Sequence, residues 1–106
     1  MNRHLQIDHF VAQAHHLAVQ RLREQPARVS EVLAQLSRWR KQAGVTRSDV
    51  YWDEWENLLG KPVDALAKEV CANSDHATLL RSVSPMSVLI TQAERAQLLG
   101  QARRMQ

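Results

Sequence analysis

The sequence predicts an all-α fold: a single compact domain of five or six short-to-medium helices over residues 1–106. Three features carry the prediction. Apolar residues recur at steps of three and four through most of the chain, which gathers side chains on one face of a helix turning about 100° per residue. Residues that start and stop helices fall between these runs. Three glycines and three prolines are also too few for the many turns of an all-β chain.

The first run, Ile7, Phe10, Val11, Ala14, Leu17, Ala18 and Leu22, predicts a helix over Leu5 to Gln25. Pro26 should end it, because proline lacks the amide a helix interior needs and disfavours helical geometry in the residue before it. A second helix carries Val29, Val32, Leu33, Leu36 and Trp39 on one side, with Gly44 placed to end it. The chain's only tyrosine and two of its three tryptophans fall in Tyr51 to Pro62, which reads as a helix, a tight corner and the start of another helix. Trp52, Trp55, Leu58 and Leu59 share one side there, and Asp53, Glu54 and Asn57 face away. Thr46 or Ser48 is placed to cap this helix, Gly60 to end it in the left-handed conformation, and Pro62 to sit in the first turn of the next.

Beyond the corner, Val63, Leu66, Ala67 and Val70 predict a short fourth helix running into the capping cluster Asn73-Ser74-Asp75. A fifth helix should bury Ala77, Leu80 and Val83 and stop before Ser84-Pro85. Met86 to Ile90 has strand-like composition but no second apolar run to pair with, so it reads as a buried connection. Thr91 and Glu94 have the spacing of a capping box, and the last helix should turn Ala93, Ala96, Leu99 and Ala102 inward. The core is expected to rest on Trp52, Trp55, Leu58, Leu59, Leu36 and Leu66.

Cys71 is the only cysteine, so no internal disulfide can form, and no apolar run is long enough to span a bilayer. A cytoplasmic protein without membrane attachment is expected. Formal charge changes sign along the chain, from +5 over residues 1–47 to −5 over 48–75 and +3 over the remainder. A basic surface for an acidic partner is one reading. Attraction between oppositely charged helices inside the fold is the other. Arg38, Arg40, Lys41 and Arg47 bracket the end of the second helix and the loop after it, and with Asp53 and Glu54 they are the candidate partner-binding residues.

Several patterns also resemble a known group. Tyr51-x3-Trp55-Glu56-x-Leu58-Leu59-x2-Pro62-Val63-x2-Leu66, Ser74-Asp75, Leu80-Arg81-Ser82-x-Ser84-Pro85 and Val88-Leu89-x-Thr91-x2-Glu94-Arg95 cover about half the chain. Together they are similar to small, poorly characterised bacterial all-helical proteins often encoded beside toxin–antitoxin-type gene pairs, with Met86 where that pattern has an aromatic. The resemblance implies a helical fold and a partner-binding or antitoxin-like role, and it brings no catalytic residues.

Enzyme chemistry finds little support. His4 and His15 share a helix side but stand about 16 Å apart along the axis, too far to hold one ion. His15 and His16 point about 100° apart, no histidines are spaced i, i+4, and Cys71 is a lone thiol five residues before His76. Asp49, Asp53 and Glu56 form an acidic stripe, but acids near a helix start are favoured by its dipole. No catalytic residues, cofactor or metal are therefore expected. Leu66-Ala67-x2-Val70-Cys71-Ala72 with Ala77 and Leu80 matches the apolar spacing of a divergent helix-turn-helix at residues 63–83. Its second helix would present Ser74, Asp75, Thr78, Leu79 and Ser82, with Arg81 its only cation. The favoured function is non-catalytic binding of a protein partner or a second copy of the chain. DNA binding through residues 63–83 is the alternative.

Overall fold

Pro26 divides the first two helices as its missing amide requires. A computed structural model describes residues 3–104, with side chains from Leu5 onward; the His4 side chain lies outside the described residues. Helix α1 runs from Arg3 to Glu24, and a 3-10 turn at Pro26–Arg28 leads into α2, Val29–Ala43. After α3 (Asp49–Leu59) come α4 (Val63–Val70) and α5 (Asp75–Ser82). A second 3-10 turn, Met86–Leu89, precedes α6 (Gln92–Arg103). The fold is all-helical, with no strand among the described residues. None of these helices is long and apolar enough to cross a membrane.

At about 1.5 Å per residue α1 is roughly 33 Å long, close to the longest dimension of the molecule, 38 Å. It packs against α4, α5 and α6. Trp52, Trp55, Leu58, Leu59, Leu36 and Leu66 are all buried, as expected, together with Val19, Val32, Val70, Leu80, Met86 and Leu89. Trp55 has no exposed surface, and its indole Nε1–H donates to the Leu80 carbonyl at 2.9 Å. Trp52 donates likewise to the Val83 carbonyl at 3.0 Å. Both indoles thus supply donors at the end of α5, where helix geometry leaves carbonyls short of partners; the Leu80 carbonyl also takes the Val83 amide at 3.3 Å. Burying one such indole removes enough apolar surface to be worth on the order of 5 kcal/mol.

The expected capping box is present: Thr91 Oγ1 accepts from the Glu94 amide at 3.1 Å, and Glu94 accepts from the Thr91 amide at 2.8 Å. Glu94 also takes a bidentate pair from Arg21, both bonds 2.7 Å, and Arg21 reaches the Leu89 carbonyl at 2.9 Å. One arginine therefore ties α1 to the start of α6 and to the turn before it. Ser74 caps α5 through the Ala77 amide.

Several local expectations need correction. Gly60 is right-handed (φ −86°), and Gly44 is the glycine with positive φ (67°). Pro62 stands one residue before α4, its carbonyl accepting from the Ala65 and Leu66 amides. Neither Thr46 nor Ser48 caps α3 through a side chain bonded to its first amides; Asp49 instead reaches back to the Thr46 amide at 3.2 Å. In α6, Ala93 and Ala96 are exposed, whereas Ala102 is buried and Leu99 half-buried as expected, with Glu94 and Leu98 also on the inward line. That line is set by Glu94, which must face Arg21. Ile7 and Leu33 are also largely exposed, because the end of α1 and that side of α2 have no helix over them.

Candidate functional site

The predicted charge cluster divides on folding. Arg40, near the end of α2, donates through Nη2 to Asp53 at 2.7 Å and through Nη1 to Glu56 at 2.9 Å, with Asp49 4.0 Å away. These acids lie on successive turns of α3, so one guanidinium clamps α2 against α3 and is held charged by the two carboxylates it bonds. Glu54 accepts from the His76 imidazole at 2.7 Å, which links α3 to α5, and the Tyr51 ring lies 6.1 Å from that imidazole. Arg40, Asp53 and Glu54 are thus engaged within the fold. All three pairs are at the surface, where such contacts contribute little.

Arg38, Lys41 and Arg47 remain open. Arg38 bonds only the neighbouring Gln35, and among the described residues none of the three cations meets a carboxylate. They surround the α2–α3 connection, where the positive φ of Gly44 turns the chain outward. Val45 follows at 97% exposure, and Val50, in the first turn of α3, is 71% exposed. This corner therefore combines two solvated valines with three uncommitted positive charges.

The proposed helix-turn-helix segment is two packed helices, α4 and α5, with Leu66, Val70, Ala77 and Leu80 buried between them and the rest of the core. Ser74, Asp75, Thr78, Leu79 and Ser82 are exposed as expected. Arg81, the only cation of α5, donates to the carbonyls of Val70 and Ala72 at 2.7 and 3.0 Å. It closes the end of α4 and is not extended toward solvent for a phosphate.

A third feature was not foreseen. His15 is buried against Trp55, its ring 6.2 Å from the indole. Its Nδ1 lies 2.7 Å from the Val11 carbonyl, which can only accept, so Nδ1 carries the proton and Nε2 accepts from the Ser84 hydroxyl at 2.7 Å. Ser84 in turn accepts from the Met86 amide at 3.1 Å. Burial drives the His15 pKa from 6.5 to about 4, partly offset by the Val11 bond and reinforced by the positive charge of Arg81. A serine donating to a neutral imidazole is also the geometry of an activated nucleophile, but so low a pKa makes His15 a poor base near neutrality. The triplet clasps α1 to the segment after α5. Its signal in the sequence was register: His15 is in phase with Val11, Ala18 and Leu22, on the buried face of α1.

Comparison with protein-family models, curated proteins and solved structures returned no match. The site is therefore read from its own chemistry. Among the described residues no group of three or more His, Cys, Asp or Glu side chains converges on a point where a metal ion could be held. Cys71 is half-buried, and burial raises its pKa, which makes the thiolate scarcer.

Proposed function

We propose that this chain is a non-catalytic binding domain whose partner is another protein, in an antitoxin-like complex or as a second copy of itself, and that it docks through the α2–α3 corner. The observation that carries the reading is the exposure of Val45 and Val50 among Arg38, Lys41 and Arg47. Exposed apolar side chains on a loop held by rigid helices are a common form of binding surface. Unneutralised cations beside them favour a partner with an acidic rim, since complementary charge speeds encounter and rejects positively charged surfaces. The chain's own acidic residues 48–75 make a second copy one candidate for that rim.

Co-expression with the products of the flanking genes, followed by affinity purification and gel filtration, tests the reading. A stoichiometric complex or a homodimer is expected. The double reversal Lys41→Glu/Arg47→Glu should slow association and weaken its salt dependence, while Val45→Asp should speed dissociation, all without loss of helicity. A complex indifferent to all three substitutions would refute the docking face. Salt-sensitive binding to duplex DNA by a monomer that ignores Val45→Asp would replace the protein-binding reading with the DNA-binding one.

A further inference from the structure

Arg81, Ser82, Ser84 and Arg95 converge on a cleft between α1, α5 and the segment leading to α6. It encloses about 260 Å³, and the apolar Phe10, Val11, Met86 and Ile90 also line it. No carboxylate lines it, although two guanidinium groups do. Arg81 is fixed by the carbonyls of Val70 and Ala72. Arg95 lies over the Phe10 ring, 5.1 Å from its centre, and meets no acid among the described residues. The aromatic face holds this cation at the mouth of the cleft without neutralising it.

Two neighbouring hollows adjoin the cleft, each through a different set of its lining residues. One, of about 310 Å³, shares Val11, Arg81 and Ser82 with it and adds Ile7, Asp8 and Thr78. The other, of about 200 Å³, shares Ser87, Ile90 and Arg95 and adds Thr91 and Gln92. The first end carries an acid and an exposed isoleucine. The second carries an open guanidinium and hydroxyl groups. An elongated ligand entering this channel would therefore meet opposite chemistry at its two ends.

We propose that this cleft binds a small amphipathic carboxylate, with its headgroup on Arg95 and Ser87 and its apolar body along Val11, Met86 and Ile90 toward Ile7. Arginine suits a carboxylate because its planar fork can donate two parallel bonds. Asp8 disfavours the reversed orientation by like charge. The cleft of about 260 Å³ and the adjoining hollow of about 310 Å³ that reaches Ile7 give room for a medium-chain acid. The cleft lies away from the α2–α3 corner, so this inference stands or falls separately from the protein-binding reading.

Calorimetry and amide NMR titration of the full chain with sodium octanoate, 1-octanol and octyl phosphate at low ionic strength test it. One octanoate per chain should bind, shifting the amides of Val11, Ser87 and Ile90 and leaving those of Lys41 and Arg47 in place. Octanol, which lacks the charge, should bind about tenfold more weakly or worse. Arg95→Gln should reduce octanoate affinity by about tenfold with octanol unaffected, and Arg95→Lys should recover part of the loss. Arg103→Gln, farther along α6, should change nothing. Equal affinity for octanoate and octanol, octanoate binding that survives Arg95→Gln, or no binding at all would overturn the proposal. Tighter binding of octyl phosphate would overturn the choice of carboxylate.

Discussion

Acidification from pH 7 to pH 4 should destabilise this fold chiefly through one side chain, His15. Burial holds its pKa at about 4 in the folded state, against an ordinary 6.5. Between those values the unfolded chain binds a proton that the folded chain refuses, so stability is fully present above about pH 6.5 and is lost as pH falls toward 4. The gap corresponds to about 3 kcal/mol in all, of which about 1.5 kcal/mol should go between pH 6.5 and 5. Burial is the largest cause, Arg81 and His16 add to it by disfavouring another positive charge, and the Val11 carbonyl opposes it in part by bonding the Nδ1 proton. Glu94 is held at about 2 by Arg21 and the Thr91 amide, so it loses its contribution only below its ordinary 4.5, outside the upper part of this window. Urea melts of the native chain and of His15→Gln across pH 7.5 to 4 measure the effect, since glutamine fills the site without titrating. The native curve should fall relative to the variant as pH drops. Parallel curves would refute the assignment, because whatever then titrated would not be His15.

Two further substitutions test the frame. Trp55→Ala should cost about 3–5 kcal/mol in a denaturant melt, because it empties a fully buried site and removes the indole bond to the Leu80 carbonyl; a near-zero loss would mean that Trp55 is not a core residue. Gly44→Ala should cost about 1–3 kcal/mol by the same measure. An added Cβ there meets no atom within 4 Å, so the penalty would come from the backbone alone, at φ 67° and ψ −148°.

The all-helical fold was legible because its signals are local and redundant. The tryptophan-bearing helix, the proline stop at Pro26, the capping cluster Asn73-Ser74-Asp75, of which Ser74 makes the cap, and the Thr91–Glu94 box each rest on a few adjacent residues, and each appears in the structure. The errors came where a distant partner decided the outcome. The spacing in α6 predicts an inner face of Ala93, Ala96, Leu99 and Ala102, but Arg21, more than seventy positions earlier, holds Glu94 inward, and Ala93 and Ala96 lie at the solvent while Ala102 is buried. His15 went unnoticed as a core residue because the periodicity of α1 was traced through apolar residues alone. Its two partners, the accepting Val11 carbonyl and the donating Ser84 hydroxyl, explain how an imidazole is tolerated there. The cleft beside it is assembled from α1, α5, α6 and the turn between the last two, so no single stretch could announce it.

Charge was the hardest pattern to read: attraction between helices holds at Arg40, while Lys41 and Arg47 meet no carboxylate among the described residues, and the partner surface there is what we propose. A basic first half and an acidic middle could mean a surface for a partner or helices that attract each other. Arg40 follows the second course: it faces α3, where Asp53 and Glu56 stand near enough to take both of its terminal nitrogens. Lys41 is the next residue, turned about 100° round the same helix, and the acids are out of its reach. Arg47 lies in the loop just ahead of the start of α3, in sequence between the exposed Val45 and Val50. Adjacent cations in one cluster therefore have different surroundings. A charge reversal at Arg40 should unsettle the α2–α3 packing, whereas the same change at Lys41 or Arg47 should act on association alone. Pooling the three in one mutant would confuse a folding defect with a binding defect.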